Sequence, residues 1–157
     1  MRILGIDPGY ERLGLALTGG DRGSEVLIYS ECFKTSAEHS FPERLREIGL
    51  QVRKIIKAWK PERAAIESLF FAKNQKTAMT VSAVRGVILY ELAQAGLSIF
   101  EYAPNEIKVA ITGYGKSGKD DIGRMVERLV VVRKKITHDD EYDAIAVALT
   151  CSAREKP

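Results

Sequence analysis

Four acidic residues stand where a carboxylate is costly unless something rewards it. Asp7 ends the apolar run Ile3–Ile6 in MRILGIDPGYERLGLAL, and Glu67 follows Ala64-Ala65-Ile66 in ERAAIESLFF. Late in the chain, HDDEYDAIAVAL opens a helix with Asp140 and Asp143 three apart, so the two share one face. Asp139 to Asp143 spans four residues and shares a face too; the D-x-x-D pattern favours Asp140 as the third acid. Taken singly, each acid is an ordinary structural residue. A strand-end Asp makes turns, and an Asp opening a helix caps it or meets its dipole. Taken together they repel, and each shifts toward protonation unless a cation balances the cluster. Hard oxygen donors suit Mg²⁺ or Mn²⁺. Two such ions about 3.5–4 Å apart stabilise both the attacking and the leaving oxygen of an in-line phosphoryl transfer.

The elements that would position these acids follow from hydrophobic period. Ile3–Asp7 reads as a strand buried on both faces, Pro8-Gly9 as a turn, Leu13–Leu17 as a second strand ending at Gly19-Gly20, and Glu25–Thr35 as a third. An antiparallel meander is the economical arrangement. Ser40-Phe41-Pro42-Glu43 then starts a helix, with Ser as cap and Glu three residues on. Phe41, Leu45, Ile48, Val52, Ile55, Ile56 and Trp59 recur along it at helical spacing as a core stripe. A short strand ending at Glu67, a long apolar helix over 77–95, a strand over 97–102, a short helix over 104–111, a glycine loop over 113–118, and helices over 120–132 and 139–153 complete the chain. The order β-β-β-α-β-α-β-α-α-α predicts an α/β protein of ribonuclease H-like fold, with a mixed five-stranded sheet and helices on both faces. Both strand-end acids lie where α/β sheets build sites, and Ala144, Ala146 and Ala148 keep the last helix slim enough to press on the sheet.

Composition sets the frame. The 157 residues, 45% apolar and 29% charged, fit one domain with one sizeable core, taken as residues 1–157. There is neither a bilayer-length apolar run nor a signal-peptide pattern. Cys32 and Cys151 lack metal-ligand spacing, and His39 and His138 stand equally isolated. This predicts reduced thiols in a cytoplasmic protein with no zinc site and no membrane partner. Net charge is +3, with basic residues at Arg53-Lys54, Lys57, Lys60, Lys73, Lys76, Lys116, Lys119 and Arg133-Lys134-Lys135. The Arg53–Lys60 group reads as a solvated helix face; the others could be a footprint for a polyanion.

Gly113-Tyr-Gly-Lys-Ser-Gly-Lys119 fits most of a P-loop, but Asp120 stands where Mg²⁺ needs Ser or Thr, and a helix rather than a strand precedes it. A flexible loop offering Lys116 and Lys119 to nucleic acid, beside Tyr114, is the better reading. An actin-like kinase half shares the strand–turn–strand start with D-x-G, but those enzymes need two such domains.

With these residues in hand, the sequence resembles the RuvC family of Holliday-junction resolvases along nearly its whole length. GIDPG with Leu13-Gly14 is similar to that family's first motif and IESLFFAKN to its second, which is the specific one. Ala83-Val84-Arg85-Gly86-Val87, Phe100-Glu101-Tyr102-Ala103-Pro104 with Ile107-Lys108, and DDEYDAIAVA resemble three more. The resemblance implies a metal-dependent, structure-selective endonuclease. Asp7, Glu67, Asp140 and Asp143 would hold two Mg²⁺ ions, for which Mn²⁺ can substitute. One ion would face the attacking water and one the departing 3′ oxygen, leaving 5′-phosphate and 3′-hydroxyl ends. It further implies four-way junction DNA as substrate, a homodimer nicking two strands of like polarity, and a branch-migration motor complex as partner. Phe70 matches the aromatic that stacks on a junction base, with the adjacent Phe71 as fallback. Lys108 and Lys119 match basic residues near the scissile phosphate, and Lys73 and Lys76 either hold phosphates or are solvated. Two other readings stand beside this one: a junction-binding protein without nuclease activity, and a relative cutting another branched nucleic acid.

Overall fold

The computed structural model describes residues 1–20, 23–68 and 75–155. Strands β1 (Arg2–Asp7), β2 (Arg12–Gly19) and β3 (Val26–Lys34) form the expected antiparallel meander. Helix α1 (Phe41–Trp59) leads to β4 (Arg63–Glu67), which pairs parallel with β1. Helix α2 (Gln75–Gln94) leads to β5 (Ser98–Tyr102), parallel to β4. Three helices follow: α3 (Pro104–Thr112), α4 (Lys119–Leu129) and α5 (Asp139–Arg154). The sheet order is β3-β2-β1-β4-β5, the mixed five-stranded arrangement the element order predicts.

Strand alternation sorts the core into two layers. Leu4, Ile6, Leu13, Leu15, Leu17, Ala64 and Ile66 face α1 and α2, meeting Ile48, Val52, Val84 and Ile88. Ile3, Ala16 and Ala65 face the other side, against α3, α4 and α5. That second layer is thin because its strand residues are small. A Cβ on Gly5 would lie 2.2 Å from the Ala144 carbonyl oxygen and 2.7 Å from the Ala148 nitrogen. A Cβ on Gly14 would lie 2.1 Å from the Asp140 carbonyl oxygen. Two glycines on neighbouring strands therefore let the α5 backbone rest on the sheet, a closeness no residue with a Cβ permits.

Helix starts share one device. Glu43, Glu106 and Asp121 each reach back to accept a backbone N–H, from Ser40 at 2.7 Å, Ala103 at 2.9 Å and Gly118 at 3.0 Å. Helix α4 ends three residues before the expected Val132: Val130 is extended, and three consecutive valines resist helical χ1 confinement. Arg53, Lys54, Lys57 and Lys60 are exposed on and just after α1, the solvated face expected, and Arg53 in addition clamps α1 to α2 through Glu91 at 2.8 and 2.7 Å. Among the described residues, no helix is long and apolar enough to cross a membrane.

Candidate active site

Strand period decides where the first two acids point. Asp7 follows Ile3 and Gly5 on the α5 face of β1, and Glu67 follows Ala65 on the α5 face of β4. β1 and β4 run parallel with Ile6 opposite Ile66, so one step further the two carboxyls lie side by side, close enough to share a hydrogen bond. The strand end is anchored behind them. Arg85 donates to the Glu67 carbonyl oxygen and, at 2.5 Å, to the Glu101 carboxylate, while Ser68 N–H donates to Tyr102 at 2.8 Å.

Helix α5 delivers the other pair. The Asp140 backbone rests on Gly14, and Gly14 pairs with Asp7 across β1 and β2. The electrostatics report one cluster. Burial pushes the Asp7 carboxyl well above the ordinary range, and repulsion from Glu67, Asp143 and Asp140 pushes it further. Burial and Asp143 raise Glu67, against the pull of its Asp7 contact, Lys119 and Lys108. Burial raises Asp143, opposed by Lys119 and reinforced by Asp139 and Asp140.

The structure separates Asp139 from Asp140. Asp140 is the one whose charge reaches Asp7, and its side chain is 16% exposed. Asp139 is 44% exposed and turns to the Lys119 ammonium, which holds its carboxyl below the usual range. Lys119, the first residue of α4, also lies 3.7 Å from Asp143. A lysine ammonium thus sits at the rim of the cluster, as a cation would be drawn to do. The donors are all carboxylate oxygens, crowded together, with Asp7, Glu67 and Asp143 held toward protonation, which fits a hard divalent ion.

Lys108 is half-buried on α3, with its charge felt at Glu67. Lys116 and Lys76 are exposed. Phe70, Phe71 and Lys73 lie outside the described residues. The glycine loop is tied rather than free: Ser117 is buried and donates to the Tyr114 carbonyl at 2.8 Å, its hydroxyl 2.6 Å from that of Thr112. A helix precedes that loop, as the sequence indicates. In the basic run after α4, Lys134 is a packing residue, bound to Glu141 and to the Ser30 carbonyl at 2.5 Å each.

Sequence reasoning missed two features. Arg12, opening β2, reaches Asp140 at 3.3 Å, and its position after the turn was the only signal. Cys32 and His138, isolated in sequence, meet Asp140 in space: the three offer ligand atoms within 4.8 Å of one another. They come from β3 and α5, so no local spacing reveals them. Burial and the Asp140 charge push the Cys32 thiol up to about 11.

Residues 3–151 match the family described as crossover junction endodeoxyribonuclease RuvC. A protein of that name from Moorella thermoacetica is 41% identical over 157 residues, covering 100% of this chain and 93% of the relative. Its counterpart from Petrotoga mobilis is 43% identical over 148 residues, covering 94% and 91%. Among solved structures, T. thermophilus RuvC in complex with Holliday junction substrate superimposes with a TM-score of 0.89 at 30% identity, covering 96% of this chain and 92% of that one.

Proposed function

The chain belongs to the crossover junction endodeoxyribonuclease RuvC family and has its ribonuclease H-like fold, and on that premise we propose that it resolves four-way (Holliday) DNA junctions by paired nicks at the acid cluster. It is a DNA endonuclease. The observation that carries the site is the meeting of two strand-end carboxylates, Asp7 and Glu67, with Asp140 and Asp143 of α5, three of the four raised by burial and mutual repulsion.

Asp7, Glu67, Asp140 and Asp143 would hold two Mg²⁺ ions, with Mn²⁺ able to substitute, and the ions supply charge neutralisation at the attacking and leaving oxygens. Asp7 is the central ligand, since it feels all three other acids. Arg85 keeps Glu67 in place through its backbone. Lys119 is held loosely at the rim by Asp139 and Asp143, 69% exposed, and is free to turn to an incoming phosphate. Lys108 faces the same side, and Lys116 and Lys76 extend the positive margin along the backbone. Phe70 and Lys73 complete the proposed contacts, Phe70 by stacking on a junction base. The products are 5′-phosphate and 3′-hydroxyl ends.

We place the whole chain, residues 1–157, in one nuclease domain that works as a homodimer. In support, α2 buries Val84, Ile88 and Leu92 and also exposes two large apolar side chains, Met79 at 75% and Tyr90 at 59%. A two-fold dimer matches the two-fold junction. The family suggests a branch-migration motor complex as partner, and two free thiols suit the cytoplasm.

The test is cleavage of a synthetic four-way junction, one strand labelled at a time, in Mg²⁺ and in EDTA, beside linear duplex. Symmetric metal-dependent nicks confined to the junction are expected. Tight junction binding without nicks would favour a non-catalytic junction-binding protein. Equal cutting of linear duplex would remove the structure selectivity.

A further inference from the structure

A different cation chemistry lies next to the acid cluster. The Cys32 Sγ is 3.8 Å from an Asp140 carboxylate oxygen, and the His138 ring completes a set whose ligand atoms lie within 4.8 Å of one another. Tetrahedral Zn²⁺, with bonds of about 2.3 Å to sulfur and 2.1 Å to oxygen, separates those two donors by about 3.6 Å. The geometry is therefore within small side-chain movements of a three-ligand site with one open position. The donors are one thiolate, one imidazole and one carboxylate. That combination selects Zn²⁺, Co²⁺ or Cd²⁺ and is unsuited to Mg²⁺. All three residues are half-buried, and a groove of about 340 Å³ lined in part by Lys119, His138, Asp139 and Asp143 opens beside them. Arg12 marks the same point as attractive to a cation: its guanidinium lies 3.3 Å from Asp140 and 3.4 Å from His138 Nδ1. Its side chain is 47% exposed and can swing out.

We propose that Cys32, His138 and Asp140 form a second cation site, selective for a borderline-soft divalent ion such as Zn²⁺, whose occupation withdraws Asp140 from the acid cluster and stops cleavage. Binding releases the thiol proton to solvent. Asp140 is the shared ligand, so the soft ion and the hard ions compete for one carboxylate. The binding half stands on these three side chains alone; the inhibition half rests on the nuclease reading above.

Titrating the metal-free protein with Co²⁺ tests binding without any DNA. A thiolate-to-cobalt charge-transfer band is expected in the wild type and in Cys151→Ser, absent in Cys32→Ser and weakened in His138→Gln. No band in the wild type, or a band that survives Cys32→Ser, overturns the site. Junction cleavage in excess Mg²⁺ with added Zn²⁺ tests the coupling. Cys32→Ser should cut like wild type without Zn²⁺ and need at least about tenfold more Zn²⁺ for half-inhibition. Equal sensitivity of the two proteins overturns the coupling. A wild type that never cuts in Mg²⁺ would instead break the nuclease reading and leave the cobalt result to judge the site.

Discussion

At the scale of single residues, Asp7 sets folding against its proposed function. Its carboxyl is buried among like charges, so the folded metal-free protein holds its proton more tightly than the unfolded chain does. A raised folded pKa favours folding below the unfolded carboxylate range, about pH 4, and that benefit is lost as pH rises through the folded value. Asp7→Asn removes the charge and keeps the shape. In EDTA the variant should melt higher than wild type at neutral pH, with the difference closing toward about pH 4. In Mg²⁺ the ordering should reverse, because only the wild type gains binding energy, about 2.7 kcal/mol at a hundred times Kd. The same variant should lose more than about 100-fold in cleavage, beyond what removing an outer partner of a metal ligand costs, while still binding the junction. Wild-type cleavage by Asp7→Asn would break the assignment. Lys119 behaves differently. Its ion pairs are exposed and screened, so Lys119→Ala should change stability by less than about 0.5 kcal/mol. If it meets a phosphate, the salt dependence of junction binding should fall by about one unit of log–log slope; an unchanged slope would place it off the DNA.

At the scale of elements, the contact between α5 and the β1–β2 pair decides whether there is a site. Alternation aims Asp7 and Glu67 toward α5, and helical spacing aims Asp140 and Asp143 back. Gly5 and Gly14 set how closely those two sets approach. Gly14→Ala puts a methyl group against the Asp140 backbone beside Asp7, so α5 must lift. Overpacking of this kind costs about 1–3 kcal/mol, and here it also moves two of the four acids. We expect a folded protein with a lowered melting temperature and cleavage reduced by about 100-fold, the sensitivity of chemistry to a misplacement of about 1 Å. Normal cleavage in a destabilised Gly14→Ala would show that the acids tolerate a looser α5.

At the scale of the whole molecule, the sheet and α5 together bring the four acids to one end, while α2 exposes Met79 and Tyr90. On the proposed reading each chain carries one site, and two chains are needed for two nicks. A mixed dimer of wild type with Asp7→Asn should cut one strand of the junction and leave its symmetric partner intact. Paired nicks from the mixed species would mean that one site serves both strands. No nicks would mean that the sites act only together.

Periodicity by itself determined the element order, the mixed sheet, the acids' positions at strand ends and on one helix face, and the solvated face carrying Arg53 to Lys60. These follow from backbone geometry over two to four residues, which repeats wherever the chain forms a strand or helix. Helix spacing put both Asp139 and Asp140 within one turn of Asp143, and only the D-x-x-D pattern favoured Asp140; the docking of α5 on Gly14 brings the Asp140 charge within reach of Asp7 and leaves Asp139 to Lys119. The meeting of Arg12, Cys32 and His138 around Asp140 was equally invisible. Those residues come from two strands and a helix start over a hundred positions apart. Only the tertiary structure decides such contacts, because the seating of a helix across a sheet depends on the sum of many packing contacts, and no local pattern records that sum.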